Sequence, residues 1–161
     1  MRFKRLLTMV SFAAVCALTS SAQTATTSTR TTNFPPFGLG ATETARVNLT
    51  NTAVASSSGT AASCVGTVTF VNAAGTAIGT ATSFTIASGV TFSASLPFAS
   101  AGLSGNRGQI RAVVAVTRST TTPTPCSLLM SLETFETSSG ATHIYTTAQG
   151  EFGGGPDGHR R

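Results

Sequence analysis

Five side chains in this 161-residue chain have the types and spacings that could do chemistry: His143, the carboxylates Glu133 and Glu136, and the thiols Cys64 and Cys126. A nucleophilic triad would hold the His143 imidazole between a serine and a carboxylate, yet no Gly-x-Ser-x-Gly elbow leading into a helix accompanies it. Flanked by Ile144 and Tyr145, His143 reads instead as a strand-surface histidine. The other histidine, His159, belongs to a Gly- and Arg-rich C-terminal stretch with nothing to hold it in place. Glu133 and Glu136 invite a glycosidase reading, which needs two carboxyl groups facing one bond. Residues three apart in an extended strand point to opposite faces, so these two are expected to be solvated charges. Glu133 is expected to pair with an arginine such as Arg111 on a neighbouring strand. Calcium would need a loop rich in Asp and Asn, and the sole aspartate, Asp157, lies near the C-terminus. The inventory predicts no catalytic residue, no metal and no cofactor.

The compartment is read from the first residues. Met1-Arg2-Phe3-Lys4-Arg5 leads into an apolar run from Leu6 to Leu18, followed by small residues at Ser20 and Ala22. A basic head, an apolar stretch too short for a permanent span and a small-residue site form a secretory signal peptide, with the mature chain starting at Gln23. Lipidation at Cys16 would want a small residue before it, and Val15 stands there. Removing the signal takes away Arg2, Lys4 and Arg5 and leaves a net charge of about +2, with no lysine. Nucleic-acid binding, which needs clustered Lys and Arg, is excluded on this balance. No stable membrane span is expected after signal cleavage.

Cys64 and Cys126 are then the two remaining cysteines, and a pair in an exported protein most often forms a disulfide. Closing so long a loop would stabilise the fold by about 4 kcal/mol on the chain-entropy estimate. A redox pair would favour a Cys-x-x-Cys spacing, and a metal site would want more Cys and His than the chain offers.

The elements that must position these groups have period two. Val47 and Leu49 alternate with Arg46, Asn48 and Thr50; Cys64, Gly66, Val68 and Phe70 share a face; Asn72-Ala73-Ala74-Gly75 suits a tight turn. A Thr-rich strand runs from Ile78 to Ile86, and Val90, Phe92, Ala94 and Leu96 alternate before Pro97. Ile110 to Val116, Cys126 to Leu132 and Thr142 to Thr147 complete the set. These observations predict an all-β fold, an antiparallel immunoglobulin-like β-sandwich of about seven strands. The expected organisation is a signal peptide over 1–22, a disordered Thr-rich leader over 23–33, the sandwich over 34–147 and a flexible Gly-rich tail over 148–161. Loops 99–108 and 118–125 are the candidate binding segments, since loops of such folds gather at their ends.

Ala45-Arg46-Val47-Asn48-Leu49-Thr50-Asn51, the strand from Cys64 to Phe70 with its turn at Asn72 to Gly75, Arg111 to Val116, and Cys126 with Leu132-Glu133-Thr134-Phe135-Glu136 resemble small uncharacterised exported bacterial proteins with immunoglobulin-like sandwiches. That resemblance implies fold and export, and brings no catalytic residue with it. The expected function is an exported non-enzymatic module with a structural or binding role at the bacterial cell envelope, in periplasm, at the cell surface or outside. Its partner would be an extracytoplasmic protein or glycan. The alternative is a fimbrial or pilin-like subunit that polymerises by strand exchange. Against it, Gln23 to Thr32 lacks the alternating large apolar residues of a donor strand.

Overall fold

The computed structural model describes residues 27–54, 63–119 and 126–151. Among them are nine strands and no α-helix: β1 Thr27–Asn33, β2 Phe37–Gly40, β3 Glu43–Asn51, β4 Ser63–Asn72, β5 Ala77–Ala87, β6 Thr91–Pro97, β7 Arg107–Ser119, β8 Ser127–Glu136 and β9 Thr142–Glu151. One 3₁₀ turn, Phe98–Ser100, follows Pro97. The strands form two antiparallel sheets, one ordered β1-β7-β4-β5 with β2 also on β7, the other ordered β6-β3-β8-β9.

Alternation decides which faces meet. Val47 and Leu49 of β3, Val68 of β4, Ile110, Ala112, Val114 and Val116 of β7, and Leu128, Met130 and Leu132 of β8 are all buried and fall in one core cluster. Because each sheet contributes one apolar face to that cluster, the two sheets lie against each other as in a sandwich. The polar residues between them, such as Arg46, Asn48 and Thr50, stay half-exposed on the outer face. Gly66 shares the inner face for a steric reason: a Cβ there would come within 2.1 Å of the Ala115 carbonyl oxygen and 2.7 Å of the Phe84 ring. Phe84 fills that space and stacks at a tilt on Phe92, with ring centroids 5.7 Å apart.

The Asn72 to Gly75 turn closes the β4–β5 hairpin, with Gly75 N–H donating to the Asn72 carbonyl at 2.9 Å. Gly75 sits at φ +81°, a region that suits glycine. Pro97 ends β6. Between β5 and β6 the chain changes sheet. Val90 is not part of the inner face of β6. It is 49% exposed because it belongs to the turn, its N–H bonded to the Ala87 carbonyl and its carbonyl taken by Asn51 N–H.

Three expectations about extent are corrected. The fold has nine strands among the described residues where alternation predicted about seven. Thr27–Asn33, inside the segment read as a disordered leader, is β1, paired with β7 along its whole length. Residues 148 to 151, read as the start of the tail, continue β9 opposite β8. For Thr27–Asn33 and for residues 148 to 151 the pairing partner, β7 or β8, supplies the order that the segment's own composition lacks. The signal peptide, the start of the leader and residues 152–161 lie outside the described residues.

Candidate functional site

Cys64 and Cys126 are bonded, with Cα atoms 5.1 Å apart across a separation of 62 residues. Cys64 is on β4 and Cys126 immediately precedes β8, so the bond ties one sheet to the other. Both cysteines are buried. At the same end of the fold the fully buried Asn51 closes a second link. Its Nδ2 donates to the Ile86 carbonyl at 3.0 Å, and its Oδ1 accepts the Ala53 N–H at 3.0 Å. Sequence reading passed over Asn51, since an asparagine at a strand end looks like any turn residue.

The groups with acid–base chemistry collect at the opposite end. Glu43 and Glu136 are cross-strand partners where β3 meets β8. Glu43 accepts the Gly40 N–H at 2.6 Å, and its other oxygen pairs with His143 Nδ1. Glu136 accepts from the Thr42 hydroxyl at 2.8 Å and from Ser138 at 3.4 Å. Thr44 and Thr137 exchange a hydroxyl hydrogen bond at 2.8 Å beside them. Thr42, Glu43, Glu136, Thr137 and Ser138, with Pro97 and Phe98, border an open cleft of about 340 Å³.

His143 therefore meets Glu43, a carboxylate outside the candidate residues read from the sequence. Burial pushes the Glu43 carboxyl up, but the His143 hydrogen bond, the Gly40 N–H and the charges of His143 and Arg107 outweigh it, so the group is held below the ordinary carboxylate value. A general acid needs the reverse shift. Among the described residues no serine, threonine or cysteine side chain is bonded to the imidazole, and no group of three or more His, Cys, Asp or Glu is placed to hold a metal. What this arrangement does is tie β9 and the β2–β3 turn to β3 through one carboxylate.

Glu133 is on the outer face of the four-stranded sheet, and its expected partner is corrected. Arg111 lies on β7 in the other sheet, whereas Arg46 faces Glu133 in register on β3, 3.7 Å away. Asn48 Nδ2 also donates to Glu133 at 3.1 Å, and Asn48 Oδ1 accepts from Ser93 at 2.6 Å, so three strands are laced together. The Arg46 guanidinium lies 4.3 Å from the centre of the Phe135 ring. Tyr145, opposite Glu133 on β9, is 63% exposed.

One candidate binding loop precedes β7 and the other follows it. The first is held down: Ala101 is buried, Leu103 packs on the core, and the Asn106 carbonyl accepts the Ala41 N–H at 2.9 Å. Of the second, residues 118 and 119 end β7 and 120–125 lie outside the described residues. No helix among the described residues is long and apolar enough to cross a membrane.

The chain matches no protein-family model, no curated protein and no solved structure. The class that fold and site define is an all-β domain of two facing antiparallel sheets joined by a disulfide.

Proposed function

We propose that the protein is an exported, non-enzymatic β-sandwich module with a structural or binding role at the bacterial cell envelope, meeting an extracytoplasmic protein or glycan. The observation that carries this reading is the Cys64–Cys126 bond between the sheets. Such bonds persist in oxidising compartments and are reduced in the bacterial cytosol. The signal-like first residues point the same way. The titratable groups are spent on tying strands together, Glu43 with His143 and Glu133 with Arg46. The immunoglobulin-like reading rests on two facing sheets and a linking disulfide. The last two described strands, β8 and β9, lie side by side in one sheet, as the last two strands of antibody-type domains do.

The test is fractionation of bacteria expressing the full chain, with intact mass measured before and after reduction. The expected product is extracytoplasmic, begins at Gln23 and is about 2 Da lighter before reduction than after, as one disulfide requires. A full-length cytoplasmic product with free thiols would overturn the reading.

A second reading, a fimbrial or pilin-like subunit, is favoured by one observation. The N-terminal strand β1 is an added edge strand on β7. A ladder of wild-type species on unboiled gels that collapses on boiling is its expected signature.

A further inference from the structure

β1 makes a full set of backbone pairs and almost no side-chain burial. Its seven residues run antiparallel to β7 from Thr27↔Ser119 to Asn33↔Val113. Six of the seven are exposed and only Thr32 is half-buried. Opposite the buried Val114 and Val116 of β7 stand Thr32 and Arg30, so the positions facing inward are polar. The core begins one residue later. Phe34 is 2% exposed, and its N–H donates to the Ala112 carbonyl at 2.9 Å. Pro35 and Pro36 then separate Phe34 from β2.

Backbone hydrogen bonds depend on strand direction and register, and the same segment from another copy makes them equally well. Exchanging identical elements between protomers costs little for this reason. What normally opposes exchange is loss of apolar anchoring, and β1 contributes no residue to the core cluster. Removing β1 would uncover an unpaired β7 edge over residues 113–119, a surface that recruits another strand. The prolines fix φ and make the joint after Phe34 stiff, so the segment before it can leave as one arm.

We infer that β1 is an exchangeable arm: Thr27–Asn33 of one copy takes the place of the same segment on β7 of a second copy of this chain. This deepens the second reading above and rests on it, naming the donor, the acceptor edge and the register. Exchange proceeds through the backbone, which removes the need for the large apolar residues whose absence from this segment counted against strand donation. Because a short connection holds the chain's own β1 at an effective concentration near the millimolar range, exchange grows with protein concentration.

The experiment uses full-length exported protein carrying one added cysteine per chain, with Cys64–Cys126 intact. Thr29 and Thr117 face each other in the β1–β7 register and both are exposed. Directly opposite positions lie roughly 5 Å apart at Cβ and diagonal ones about 7–8 Å, so only the first suit a disulfide. Folded Thr29→Cys is mixed with folded Thr117→Cys and, separately, with Ala115→Cys, then oxidised mildly over a series of protein concentrations. The expected result is a mixed dimer formed roughly tenfold more from the in-register pair, rising with concentration. Equal yields from both mixtures, or no dimer from either, overturn the exchange. The doubly substituted Thr29→Cys/Thr117→Cys chain, folded at high concentration, then separates the two ideas. A covalent ladder supports exchange and fibre together, whereas dimers alone support exchange and overturn the fibre.

Discussion

β1 and β2 lie end to end along the same edge of β7 and are held in opposite ways. The longer strand has seven residues and buries none of them. The shorter has four, of which Phe37 and Leu39 are buried, and Phe34 is buried just before it. Hydrogen bonding to β7 puts both in register, but each unmade bond would be replaced by one to water, so the net gain per bond is about 1 kcal/mol and is offset by the ordering of each residue. Burying a Phe or Leu adds roughly 1.5–3 kcal/mol that water cannot replace. Pairing tells a strand where to lie, and burial decides whether it stays.

The contrast can be broken at its strong end first. Phe34→Ala removes the anchor between the two strands and is expected to cost about 4 kcal/mol, read as a lower urea midpoint with unchanged slope. Replacing Cys64 and Cys126 together by alanine tests the other fixed point, with an expected loss of about 4 kcal/mol by the same measurement. A rise is expected from Thr134→Val. Thr134 is fully buried with its hydroxyl unpaired among the described residues, and removing that hydroxyl should raise stability by about 1 kcal/mol in thermal unfolding.

Deleting residues 27–33 sharpens the contrast from the weak side. The expected stability change is less than about 1 kcal/mol, with light scattering rising as the β7 edge is uncovered. A loss as large as that for Phe34→Ala would mean that β1 is held by more than its backbone. The smallest effect belongs to Glu43. Its carboxyl is depressed in the folded state, so its contribution is present above the ordinary carboxylate value and is lost as pH falls through the lowered one. Glu43→Gln should flatten that acid limb by under about 1 kcal/mol, seen by comparing urea midpoints from neutral to acidic pH.

The strands with strict alternation were legible in the sequence because their inner faces are apolar at every second residue, as Ile110, Ala112, Val114 and Val116 show. β1 was illegible for the converse reason. Its order comes from the edge of β7, some eighty residues away, and Thr-Ser-Thr-Arg-Thr-Thr-Asn carries no inner face of its own. β2 was hidden by its four-residue length and by the prolines before it. The cysteine pair could be read from compartment and parity. The partner of Glu133 could not, because choosing Arg46 over Arg111 requires knowing which strands share a sheet. The same holds for His143 with Glu43, residues 100 apart in sequence.

The pairing of β3 also sets an order in time. Its neighbours are β6 and β8, with Glu43 opposite Glu136, so its β8 side stays bare until nearly the whole domain has been synthesised. Among the described residues, only the β4–β5 and β8–β9 hairpins join strands adjacent in the chain, and local pairs close before distant ones. The hairpins are therefore the early structures and the four-stranded sheet the late one. A chain built this way emerges from the ribosome open and closes only after its last strands arrive.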